Sequence, residues 1–119
     1  MKTILSNELE ERFLHFGVSV IKLTQLQKEK LPFSVIDQAI RASTSIGANY
    51  SEAQNASSKA DFRNKIYIAK KEASETRYWL LVITELTDEN TTLSYLKEVQ
   101  EILLILQKIV STLKTGISK

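Results

Sequence analysis

Apolar and small residues alternate at steps of four and three positions between Phe62 and Ile83, and this spacing constrains the fold more than any other feature of the sequence. The positions are Phe62, Ile66, Ala69, Ala73, Thr76, Leu80 and Ile83. Such a repeat places an unbroken stripe along one side of an α-helix, as in coiled coils and helical bundles. It predicts a helix from about Lys59 to Leu86, opened by a capping box of Ser58 and Asp61.

Three further segments show helical periodicity. They run from about Asn7 to Glu29, from Ser34 to a polar break at 55–57, and from about Thr92 to Leu113. Asn7 and Glu10 form a capping-box pattern, and Pro32 disfavours helix geometry in the residue before it. Long helices joined by short connections predict an all-α, up-down-up-down antiparallel four-helix bundle, with residues 1–119 as a single domain.

The residue types that most enzymes and metal proteins require are scarce. The chain has no cysteine and one histidine, His15, so it has no disulfide framework, thiolate metal site or iron–sulfur cluster. Ferritin-like bundles need Glu-x-x-His on two helices, whereas Arg12 stands three positions before His15. One proline and three glycines also leave little turn chemistry for a sheet or a phosphate-binding loop. We therefore predict no catalytic residues, no metal and no cofactor.

Glu72 and Glu75 are the acidic pair that best fits a site, because residues three apart share one face of a helix. With Glu52 they would supply a carboxylate-only metal site or an acid/base pair. The alternative, which we favour, is that they form ion pairs with Arg41, Arg77 or Lys71.

The location of the protein is predicted from its hydropathy. The first residues lack the apolar stretch of a secretory signal, and the longest apolar run is Ile102–Leu106. A bilayer span needs about 18 apolar residues or more. We expect a soluble, cytoplasmic protein that makes no membrane contact.

The last two predicted helices carry more apolar surface than one bundle buries. The run at 102–106 covers every direction around its helix, and the third helix has a second apolar patch about 100° from its core stripe. Exposed patches of this kind usually mark interfaces, although loops covering them would be an alternative. The sequence therefore predicts a homo-oligomer, with a candidate interface of Ile68, Trp79, Val82, Leu86, Leu104 and Ile105.

Basic residues are concentrated on the third predicted helix. The net charge is only +2, but the segment from Lys59 to Arg77 holds six basic and three acidic residues. At about 100° and 1.5 Å per residue, four of the basic residues form a line roughly 27 Å long, with Tyr67 and Tyr78 beside it. With Lys71, the candidate nucleic-acid-binding residues are Lys59, Arg63, Lys70, Lys71 and Arg77. The alternative is that they pair with Glu8, Glu10 or Glu11 of a neighbouring helix.

Two stretches, 40–54 (IRASTSIGANYSEAQ) and 58–80 (SKADFRNKIYIAKKEASETRYWL), resemble bacterial four-helix-bundle proteins encoded in intervening sequences of large-subunit ribosomal RNA genes. The resemblance implies a homopentamer without enzymatic activity, and the gene location suggests association with ribosomal RNA. A related branch serves as accessory subunit to the reverse transcriptase of diversity-generating retroelements. The polar signature positions are Arg41, Ser45, Asn49, Glu52, Glu72 and Glu75; they form either a buried network that fixes the pairing of two helices or a binding site.

These observations lead to one functional prediction and one alternative. The protein is predicted to be a non-enzymatic, oligomeric bundle that binds RNA or other nucleic acid through the basic residues of its third helix. In the alternative it is a structural adaptor whose partner is a protein such as a reverse transcriptase.

Overall fold

The computed structural model describes the backbone of residues 3–115 and the side chains of residues 3–113. It contains the helices α1 (Ile4–Leu26), α2 (Phe33–Gln54), α3 (Lys59–Leu86) and α4 (Glu89–Thr115), with a short 3-10 turn at Lys28–Lys30. Residues 3–115 contain no strand. The prediction of an all-α chain with four helices is therefore confirmed.

The ends of α3 are as predicted, whereas α1 begins one turn earlier than predicted. The Ser58 hydroxyl caps α3 by accepting from the Asp61 backbone N–H at 3.0 Å. In α1 the reciprocal capping box is formed by Thr3 and Ser6: the Thr3 hydroxyl accepts from the Ser6 N–H at 3.0 Å, and the Ser6 hydroxyl accepts from the Thr3 N–H at 2.7 Å. Asn7 consequently lies inside the helix rather than at its start.

The starts of α2 and α4 also differ from prediction. Pro32 is the N-cap of α2, so Ser34 lies within the first turn and makes no capping hydrogen bond. At α4, the Asp88 carboxylate accepts from the Thr91 N–H at 3.1 Å, and the helix begins at Glu89 rather than at Thr92. An acidic side chain at this position satisfies one of the otherwise unpaired N–H groups of the first turn.

Successive helices pack against each other, and the contacts of α1 with α2 and of α2 with α3 run in opposite order along the chain. Phe13 of α1 packs its ring edge-on against Tyr50 of α2 with centroids 5.0 Å apart, while Gly17 lies beside Thr44. On its other side α2 contacts α3, where Arg41 reaches Glu72 and Lys65 reaches Glu52. α3 also packs against α4, whereas the backbones of α1 and α4 approach each other less closely.

The core follows the four-and-three spacing. Ile66, Ala69, Ala73, Thr76, Leu80 and Ile83 of α3 are buried, and Phe62 is half-buried at one end. The other three helices contribute the rest of the buried interior. These residues are Phe13 and Val20 of α1, Ile46 of α2, and Val99, Ile102 and Leu106 of α4. Burying each large aliphatic or aromatic side chain contributes about 1.5–3 kcal/mol, so this shared interior holds the four helices together.

Exposed apolar residues are more widely distributed than the sequence pattern indicates. In the run at 102–106 only Leu104 is exposed, at 61%, because Leu103 and Ile105 pack against the core. In the second patch of α3, Trp79 and Val82 also pack against the core, Ile68 is half-buried, and Leu86 is exposed. By contrast, α1 exposes several apolar side chains, namely Ile4, Leu5, Leu14, Val18 and Leu26.

Over residues 3–115, none of the helices combines the length and the apolar character that crossing a membrane requires.

Candidate nucleic-acid interface

The five predicted cations lie along one stretch of α3, here called the α3 basic face: Lys59, Arg63, Lys70, Lys71 and Arg77. All are exposed except Lys70, which is half-buried. Among the described residues, none of the five has a carboxylate oxygen within 4.0 Å. The alternative in which they pair with Glu8, Glu10 or Glu11 is therefore not what the structure contains.

The helix next to the α3 basic face supplies neutral side chains. Glu98 and Glu101 of α4 lie on the side that faces α1, where both accept hydrogen bonds from Arg12. Helical spacing places Gln100 and Gln107, both exposed, on the opposite side of α4, next to α3. Gln100 and Gln107, rather than Glu98 and Glu101, thus lie on the side of α4 that is next to the α3 basic face.

Within residues 3–113, Arg12 forms ion pairs, in contrast to the five cations of the α3 basic face. Its guanidinium donates to the two carboxylate oxygens of Glu98 at 2.7 and 2.9 Å, and to Glu101 at 2.7 Å. These hydrogen bonds raise the pKa of Arg12 above its ordinary value. This contact between α1 and α4 is not predicted from the sequence; the available signal is the three-residue spacing of Glu98 and Glu101, which places both on one side of α4.

The signature residues of α2 and α3 meet at the seam between these helices. The Arg41 guanidinium donates to Glu72 at 3.2 Å and to Glu75, and the second of these bonds is the main reason that the pKa of Arg41 is raised. At the other end of the seam, Glu52 lies 2.8 Å from the Lys65 ammonium and raises the pKa of that lysine. Cross-helix ion pairs of this kind fix the register of two helices.

Two of the signature residues do not join the ion pairs. The Ser45 hydroxyl donates to the Arg41 carbonyl at 2.7 Å, and the Asn49 amide donates to the Ser45 carbonyl at 2.9 Å, so both bond within α2. The seam is also less buried than a core network, since the side chains of Arg41 and Glu75 are 43% and 39% exposed.

The acidic residues of the seam are engaged by cations. Arg41 is the partner of Glu72 and Glu75, as the favoured interpretation of these carboxylates predicts. In the part of the chain that the structure describes, no three His, Asp or Glu side chains are grouped so that they could hold a metal ion.

The sequence and the fold of this chain are similar to those of known proteins. The model of the 23S rRNA-intervening sequence protein family matches residues 7–108. The chain belongs to this family. A solved structure of a protein of unknown function from the S23 ribosomal protein family of Bacteroides thetaiotaomicron is 38% identical, with a TM-score of 0.79, and the match covers 85% of this chain and 96% of that one. No curated protein matches the chain.

Family membership agrees with the resemblance found in the sequence. Both signature stretches, 40–54 and 58–80, lie inside the matched range. In this member of the 23S rRNA-intervening sequence protein family they form the adjoining parts of α2 and α3, which include the Arg41 seam and the α3 basic face.

Proposed function

We propose that this member of the 23S rRNA-intervening sequence protein family binds RNA through the α3 basic face and catalyses no reaction. The observation that carries the proposal is the absence of an ion-pair partner for any of the five cations among the described residues. An unpaired lysine or arginine neutralises a phosphate without first breaking an internal ion pair, and the counterions released from the RNA favour binding.

The proposal includes assembly of an up-down-up-down bundle into a homo-oligomer, with five copies as the expected number. The opposite order of contacts between successive helices and the exposed Leu86 and Leu104 support it. Several copies of the α3 basic face on one particle would bind one RNA with an affinity far above that of a single copy. Sedimentation equilibrium tests the assembly, and a monomeric mass at all concentrations would contradict it. We place the assembly in the cytoplasm.

Filter binding to structured RNA at increasing salt concentrations tests the function. The affinity is expected to fall steeply with salt, and the triple variant R63E/K70E/R77E is expected to abolish binding. The matched control is K22E/K28E/K30E, which changes the net charge equally at three exposed lysines away from α3. Equal losses in the two variants would show that binding depends on net charge alone and would refute the α3 basic face as the binding surface.

A protein partner such as a reverse transcriptase is the second candidate. Leu81, one helical turn after Arg77, is 39% exposed, and Leu93 at the start of α4 is 52% exposed. Apolar side chains beside a charged surface are typical of protein interfaces. A stoichiometric complex that survives nuclease treatment and is lost in Leu81→Glu would favour this candidate over RNA.

A further inference from the structure

We infer that the α3 basic face is specific for unpaired nucleotides, whose bases stack on the rings of Tyr67 and Tyr78. This inference rests on the proposed function and deepens it, because it distinguishes single-stranded RNA from an RNA duplex. It starts from two tyrosines that the bundle does not use in its core.

Tyr67 and Tyr78 are unusually exposed for aromatic residues of this chain, at 41% and 58%. Phe13, Phe16 and Tyr50 are buried, and Phe62, Trp79 and Tyr95 are half-buried against the core. Among residues 3–113, Phe33 is the one other aromatic side chain with comparable exposure. Two of these three exposed rings therefore lie on α3.

The two rings lie on one side of α3 and next to its cations. They are eleven residues apart, which places them within about 20° of each other and roughly 16 Å apart along the helix. Arg63 precedes Tyr67 by one turn, and Lys71 follows Tyr67 by one turn and precedes Tyr78 by two turns on the same side of the helix. Lys71 thus lies between the two rings and Arg63 lies beside the first of them, where these cations can contact the backbone phosphates of bases that stack there.

The environment of Tyr78 restrains its ring. Tyr78 and Trp79 make an edge-to-face contact with centroids 5.2 Å apart and ring planes at 80°. Such contacts are favourable between aromatic rings, and Trp79 is itself held against the core. A ring that is already restrained loses less conformational freedom when a base stacks on it.

The combination of cations and exposed rings favours single strands over duplexes. A duplex keeps its bases stacked on one another, so it presents phosphates but no base faces to a helix surface. Unpaired bases stack on aromatic side chains with little sequence preference, while lysines and arginines follow the backbone. Phosphate contacts alone would use the five cations and leave both tyrosines without a role.

The test compares one single-stranded RNA of mixed sequence with the duplex formed by its complement. Each of Tyr67→Leu and Tyr78→Leu is expected to weaken single-strand binding at least about fivefold, and duplex binding is expected to stay unchanged. Tyr67→Phe and Tyr78→Phe keep the ring and are expected to bind normally. Phe33→Leu is the matched control, since it removes an exposed ring elsewhere on the surface.

Two further measurements distinguish stacking from a general defect. The leucine variants should retain the salt dependence of the wild type, because they remove no charge. Trp79 is the one tryptophan of the chain and touches Tyr78, so single-stranded RNA should change its fluorescence more than the duplex does.

The outcomes separate this inference from the proposed function. If the wild type binds neither RNA, the proposed function is refuted. If it binds single strands and the two leucine variants bind them equally well, the RNA-binding function stands and the stacking inference is overturned. Equal losses for single strands and duplexes in properly folded leucine variants would overturn it as well.

Discussion

Gly47 offers a substitution whose effect follows from the packing of α1 against α2. A Cβ atom added there would lie 3.5 Å from its nearest neighbours, which are backbone and Cβ atoms of Phe13 and Leu14. That is ordinary van der Waals contact. Gly47 also borders a surface groove of about 330 Å³ between the two helices. Gly47→Ala should therefore gain the helix propensity of alanine, about 1 kcal/mol, at little steric cost.

Gly17, which belongs to α1 and lies against α2, should respond differently. An added Cβ would lie 3.3 Å from the Thr44 Cα and 3.4 Å from the Ser43 carbonyl oxygen. These are backbone atoms of α2, so the two helices would have to separate by a few tenths of an ångström. Overpacking of this kind costs about 1–3 kcal/mol, which cancels or exceeds the propensity gain of about 1 kcal/mol. Gly17→Ala should be neutral or destabilising by up to about 2 kcal/mol.

Urea and thermal unfolding of both variants at one protein concentration measure the difference. Gly47→Ala should raise the melting temperature by roughly 4 °C, on the basis that 1 kcal/mol shifts a domain of this size by about that amount. Gly17→Ala should leave it unchanged or lower it. If the two variants shift stability equally, or if Gly47→Ala is destabilising, the close approach of α1 and α2 is not at Gly17 as the structure has it.

Two further predictions concern an ion pair and a buried tyrosine of the bundle. Arg12→Met and Glu98→Gln, measured singly and together by urea unfolding, should show a coupling free energy of about 1 kcal/mol. The hydrogen bonds between the two side chains are charge-assisted, but both side chains are about one-third exposed. Additive losses of unfolding free energy would contradict the contact. Raising the pH from 10 to 12 should destabilise the fold by at most about 2.7 kcal/mol through Tyr50. Burial raises the pKa of Tyr50 from 10.0 to about 12, so the folded chain retains a proton that the unfolded chain releases. Stability linked to Tyr50 is complete below pH 10 and is lost as the pH approaches 12, and an identical alkaline slope in Tyr50→Phe would refute this.

The helices themselves were predictable, but not all of their ends. The spacing from Phe62 to Ile83 is long and regular enough to determine which side of α3 is buried, and the Ser58 cap gives its first residue. The start of α1 depends on Thr3 and Ser6, whose hydroxyls exchange hydrogen bonds with the backbone. Asn and Glu at 7 and 10 match the usual capping pattern better, so local pattern alone selects the wrong turn.

The features of the candidate site that depend on a single helix were predictable from the sequence. The features that depend on how two helices are rotated relative to each other were not. The line of cations on α3 follows from spacing alone. That these cations have no ion-pair partner in the described part of the chain depends on Glu98 and Glu101, which belong to α4 and bind an arginine of α1. The contact joins residues 86 positions apart, and no local pattern specifies which side of α4 faces α1.

The positive charge of the α3 basic face depends on which cations the nearby carboxylates pair with, rather than on the number of lysines and arginines in α3. Glu75 follows Lys71 by four residues, a spacing at which the two could pair within α3, although the order Lys before Glu is the weaker one. In the structure Glu75 instead binds Arg41, which comes from α2 and also binds Glu72. Arg41 thus neutralises two acids of α3 and leaves Lys71 without an ion-pair partner among residues 3–113. The seam that joins α2 to α3 and the basic face proposed for RNA are for this reason parts of one electrostatic arrangement.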